Sequence, residues 1–62
     1  MSDIKILLVD DHAVVRMGFK MLIEAEPDMT VIEEAESGEL GIKAYKEHKP
    51  DMVIMDITCL LY

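Results

Sequence analysis

The chain of 62 residues has a single cysteine, Cys59, so it has no internal disulfide. Nor does it show the Cys/His spacing of a zinc site; the bland reading of Cys59 is a small apolar filler. Basic residues are few, 6 against 13 acidic ones, for a net charge of −7. Gripping nucleic-acid phosphates takes clustered Lys and Arg, so no nucleic-acid surface is expected on this chain. Long apolar runs are missing too. None reaches the roughly 20 residues of a membrane span, and the first ends in two aspartates, unlike a signal peptide. Repeats and low-complexity segments are also absent. A cytoplasmic protein that meets no membrane is expected, with a core that is marginal at this length.

The residues that are present alternate in character. Lys5 to Val9 is an aliphatic run of the kind buried inside a parallel sheet. Asp10-Asp11-His12 is a polar turn able to cap a helix. Ala13 to Ala25 predicts that helix, whose core face carries Val15, Phe19, Leu22 and Ile23, ended by Glu26-Pro27-Asp28. Thr30 to Ala35 predicts a short strand, placed at an edge by Glu33 and Glu34. Ser37-Gly38 opens a second helix, Glu39 to about His48. Gly41 inside it costs about 1 kcal/mol relative to Ala, for which close packing is a reason. Lys49-Pro50-Asp51 is a turn, and Met52 to Met55 a third strand. The order β-α-β-α-β implies parallel strands with right-handed crossovers. A flavodoxin-like arrangement orders them 2-1-3 and leaves the third strand with an open edge.

Two of these strands finish in carboxylates, Asp10-Asp11 and Asp56. Ligands of open α/β sheets bind at the carboxyl edge. Three carboxylates in one pocket repel one another and call for a cation. Mg²⁺ fits, because it takes oxygen ligands and keeps several waters. Beside such an ion a carboxylate can attack phosphorus and form an aspartyl-phosphate.

These residues resemble the receiver domain of bacterial two-component response regulators. The matching stretches are Lys5 to His12, Val15-Arg16-Met17-Gly18-Phe19, Ala35-Glu36-Ser37-Gly38-Glu39 and Lys49 to Ile57. The likeness covers residues 4 to 57. The Asp-Asp-His and Val-Arg-x-Gly variants are most similar to the subfamily with a DNA-binding helix-turn-helix output domain. The resemblance implies a CheY-like fold and phosphorelay signalling, with a histidine kinase as partner. It makes Asp56 the phosphoacceptor, Asp11 the direct Mg²⁺ ligand, and Asp10 a neighbour that holds the metal mainly through water. Thr58 would add its backbone carbonyl. The family's Met-Pro-Gly-like loop is replaced by Cys59-Leu60-Leu61-Tyr62. Its Ser/Thr after strand four and Lys after strand five would fall beyond residue 62. The chain therefore reads as a partial receiver, 1–62, with a divergent tail at 58–62 and impaired function in this form.

Blander readings stand beside these. His12 reads as a surface or capping histidine. Glu33, Glu34, Glu36 and Glu39 read as a solvated acidic edge, the six methionines as core filler, and Phe19 and Tyr45 as core. Arg16 reads as a surface residue of the first helix, with kinase docking as its functional alternative. Among functions, a fragment acting only as an interaction or dominant-negative peptide competes with the receiver reading. Self-association through the third strand's edge is expected. An aspartate-nucleophile phosphohydrolase is the enzymatic alternative, but it wants an acid where Thr58 stands. A non-enzymatic role is expected.

Overall fold

The computed structural model describes residues 3–56. The readings of Thr58, Cys59 and the divergent tail lie outside the described residues. Five elements run in order: β1 (Ile4–Asp10), α1 (Ala13–Glu24), β2 (Met29–Ala35), α2 (Gly38–His48) and β3 (Met52–Asp56). The sheet has three strands in the order β2-β1-β3, and both pairings are parallel. The expected fold class and strand order are therefore observed.

β1 is the centre of the molecule. Ile6, Leu7, Leu8, Val9 and Asp10 are fully buried in succession, because β1 has a strand on each flank and a helix over each face. Right-handed crossovers toward opposite sides of β1 put the two helices on opposite faces. Side chains alternate along a strand. Leu7 and Val9 form a buried cluster with Ala35 and with Ala44 of α2, so Ile6 and Leu8 face α1, where Ile23 is buried.

Local signals explain the element ends. Ser37 caps α2, its hydroxyl accepting from the Leu40 amide at 3.2 Å. Lys49 adopts left-handed backbone (φ 48°) and its amide donates to the Tyr45 carbonyl; Pro50, next in line, has no amide with which to extend the helix. At α1 the expected aspartate capping is replaced. The N-cap is His12, without a side-chain cap bond, and Asp10 Oδ1 instead accepts from the His12 amide at 2.8 Å. Lys5 and Asp51 clamp the sheet's amino end. Each amide donates to the other residue, at 2.9 Å to the Asp51 carboxylate and 2.8 Å to the Lys5 carbonyl.

Several burial expectations are corrected. Leu22 is 72% exposed, and Val15 is exposed as well. The face of α1 turned to the sheet carries Arg16, Phe19, Lys20 and Ile23, of which only Ile23 is buried outright. Phe19 is half-buried, and Tyr45 is 52% exposed. Met17, Met21, Met52 and Met55 are exposed rather than core filler. The cause for Tyr45 and β3 is shared: α2 sits over β1 and β2, and neither helix packs on β3. Glu33 and Glu34 do lie on an edge strand but are half-buried. Pointing to opposite faces, Glu33 meets His48 of α2 at 3.2 Å, while Glu34 meets Arg16 and Lys20 of α1 at 3.2 and 3.4 Å.

Candidate functional site

The carboxyl edge of the sheet gathers the strand-end aspartates because of the β1–β3 register. Ile6 pairs with Met52, and counting along both strands sets Asp10 opposite Asp56. Equal parity sends both side chains toward the same face. Asp10 and Asp56, far apart in sequence, are thus neighbours in the ladder.

Their environments differ. Asp10 is 0% exposed. Its Oδ1 is held by the His12 amide, but Oδ2 is buried with no hydrogen-bond partner among the described residues. Leaving a carboxylate oxygen dry and unpaired is costly; pairing with a cation removes that cost. Asp11 and Asp56 are exposed. Asp11 Oδ1 lies 2.8 Å from His12 Nδ1. Asp10, Asp11 and His12 each offer a ligand atom within 4.8 Å of the others. Asp56 lies across the ladder from Asp10 but is not among the residues whose ligand atoms come within that distance, so the expected three-aspartate cluster is only partly drawn together. The donor set of carboxylate oxygens suits a hard divalent ion, and the orphaned Asp10 oxygen fits such an ion.

Arg16 is a residue whose role its sequence position conceals. Its side chain is only 20% exposed. Nη1 donates to the Asp10 carbonyl at 2.7 Å and Nε to Glu34 Oε1 at 3.2 Å. It thereby joins the carboxyl ends of β1 and β2 immediately behind the aspartates. The available signal was its place one turn into the helix that succeeds Asp10-Asp11. A separate cavity of about 380 Å³ opens along β2, lined by Arg16, Glu34, Leu40 and Lys43 among others, rather than over the aspartates.

Comparison with known proteins gives this arrangement its context. The chain matches the response regulator receiver domain over residues 6–59. It is 46% identical over 55 residues to the transcriptional regulatory protein LiaR of Bacillus subtilis, covering 89% of this chain and 26% of that protein. It is 46% identical over 53 residues to the nitrate/nitrite response regulator protein NarL of Escherichia coli K12, covering 86% of this chain and 24% of that one. Among solved structures, the response regulator domain of Thermotoga maritima CheB superposes with a TM-score of 0.88 at 39% identity, over 95% of this chain and 44% of that one. A LuxR-family two-component response regulator from Aurantimonas gives 0.87 at 42%, over 97% and 43%. The chain thus spans about a quarter of the curated relatives it matches. Relatives named as transcriptional regulators agree with the subfamily read from Asp10-Asp11-His12. No described helix is long and apolar enough to cross a membrane. On sequence and fold together, this chain belongs to the response regulator receiver domain family.

Proposed function

We propose that the chain is the phosphoacceptor-bearing part of a phosphorelay receiver, with Asp56 as the acceptor. The observation that supports it most is the ladder register that sets Asp56 opposite a buried, incompletely paired Asp10. In this reading Asp11, Asp56 and the Thr58 backbone carbonyl would hold Mg²⁺, with Asp10 mainly through water. Bound there, the ion would neutralise charge developing on the transferred phosphoryl group. Asp56 is exposed, so a phosphohistidine on a histidine kinase can approach it. A carboxylate oxygen of Asp56 attacks phosphorus. The new O–P bond forms as the P–N bond breaks, and the electron pair leaves on the imidazole nitrogen. Asp10, fixed by the His12 amide, stays in place while Asp56 reacts.

The named relatives are regulatory proteins, which supports a switching role rather than turnover of a substrate. A role in transcription would belong to a complete regulator whose output domain binds DNA. This chain, with net charge −7, is not proposed to hold nucleic acid itself. The test is treatment with a small phosphodonor and Mg²⁺, read by intact-mass spectrometry. One added phosphoryl group is expected once the chain is grafted into a complete receiver, and none on the same graft carrying Asp56→Asn. A phosphoryl group that persists in the variant overturns the assignment.

A second reading is supported by a different feature, β3, on which neither described helix packs. On it the chain acts as an interaction peptide without phosphoryl chemistry, competing through that edge. Binding to a kinase that is unaffected by Asp56→Asn, without phosphotransfer, would favour it.

A further inference from the structure

We propose that His12 is a nitrogen donor added to the oxygen donors of the acidic pocket, and that it biases the pocket toward borderline first-row divalent ions such as Co²⁺ and Zn²⁺. This rests on the reading of Asp10 and Asp11 as a metal pocket and goes beyond it, since that reading uses oxygen donors alone.

Position comes first. His12 Nδ1 lies 2.8 Å from Asp11 Oδ1 and 4.0 Å from Asp10 Oδ1. One ligand atom from each of the three residues falls within 4.8 Å of the others. The second observation is the burial of one member: Asp10 is completely buried, and its Oδ2 has no hydrogen-bond partner among the described residues. A buried carboxylate with a free oxygen is what a cation stabilises. The third is preorganisation. The His12 amide is bound to Asp10 Oδ1 at 2.8 Å, and its carbonyl accepts from the Arg16 amide at 2.8 Å. The imidazole makes no cap bond to α1 and turns its Nδ1 to Asp11 Oδ1 instead. It is 60% exposed, which leaves an ion a path from solvent.

The chemistry is a substitution. His12 Nδ1 and Asp11 Oδ1 face each other at 2.8 Å. An arriving ion takes the Nδ1 lone pair of the neutral ring, whose hydrogen sits on Nε2, together with an Asp11 oxygen, and gives up water ligands in exchange. No oxidation state changes. Two aspartates balance the charge of a divalent ion. Imidazole suits zinc, cobalt and nickel, whereas Mg²⁺ prefers oxygen throughout.

The test uses the full chain with Cys59→Ser in every arm, so that no thiol competes for the ion. Co²⁺ binding is read from its visible absorption, Mg²⁺ binding by calorimetry, and the His12 ring from its ¹⁵N resonances as Zn²⁺ is added. His12→Ala should weaken Co²⁺ by at least about tenfold, and leave Mg²⁺ within about twofold. The His12 ring resonances of the parent should move with Zn²⁺. His12→Asn, which keeps a polar group at the turn, should behave as His12→Ala does, and circular dichroism verifies that both fold. Asp11→Asn should weaken both ions. If Mg²⁺ binds but Co²⁺ binding is indifferent to His12, the inference falls and the acidic pocket stands. If neither ion binds the parent chain, the pocket reading falls and takes the inference with it.

Discussion

At position 41 a side chain has no room. A Cβ built there would lie 2.9 Å from Val9 Cγ2 and 3.3 Å from Cγ1, and Val9 is a stiff, fully buried strand residue. Two effects oppose each other in Gly41→Ala. Helix propensity favours Ala by about 1 kcal/mol, while overpacking costs about 1–3 kcal/mol. The expected net is a loss of about 1 kcal/mol, read as a lower urea midpoint at fixed protein concentration. Adding Val9→Ala should make Gly41→Ala neutral or favourable, because the obstructing methyls are gone. The close packing was legible from a glycine inside a helical pattern. So was the common edge of Asp10, Asp11 and Asp56, since strand ends are placed by strand order. The Arg16 tie to the Asp10 carbonyl was not. A charged residue on a short helix ordinarily faces water, and only the crossing of α1 over the ends of β1 and β2 decides otherwise.

At the level of elements, helix ends offer the sharpest test. Lys49 holds a left-handed backbone (φ 48°) that costs an L side chain about 1 kcal/mol and glycine almost nothing. Lys49→Gly should therefore stabilise the chain by up to about 1 kcal/mol, less what glycine adds to the freedom of the unfolded state. A raised thermal midpoint would show it; an unchanged or lowered one would place the strain elsewhere. Element order and type were legible, and boundaries fell within one residue, because caps and prolines mark them. The core face of α1 was not legible. Val14, Met17 and Met21 make an apolar row on its solvent side, so helical periodicity alone offers two faces, and the one taken carries Arg16 and Lys20. Glu33 and Glu34 depart from a solvated edge for a related reason. The register shift between Ile6 and Leu7 passes over Ile32, and this sets the phase that brings Ala35 beside Val9 and each glutamate to a cation or histidine.

For the molecule as a whole, the two sheet edges are unequal. β2 carries glutamates and an irregularity, both of which discourage pairing with another chain. β3 offers Met52-Val53-Ile54-Met55, with no charge and no proline, and Met52, Val53 and Met55 are exposed. Beside it lies a cavity of about 160 Å³ lined by Leu7, Gly41, Ile42, Tyr45, Val53 and Met55. Self-association through this edge is therefore expected. Sedimentation at micromolar concentration should show dimers or larger species, and Val53→Lys should shift the distribution toward monomer. A monomeric parent with a cooperative unfolding transition would refute it. The edge was legible from strand order; the extent of bare surface was not, since it depends on how little of β3 the helices reach.

The central place of β1 also has a consequence in time. Its second flank is closed by a strand anchored at Asp51, 46 positions after its clamp partner Lys5. At about 5–20 residues per second of synthesis, roughly 2–9 s separate the two on the ribosome. Throughout that interval Ile6 to Val9, the most water-averse stretch of the finished molecule, is at best half-sheltered. Of the three described strands the one made first is the one completed last, so the exposure of β1 to chaperones and to neighbouring chains lasts until β3 arrives.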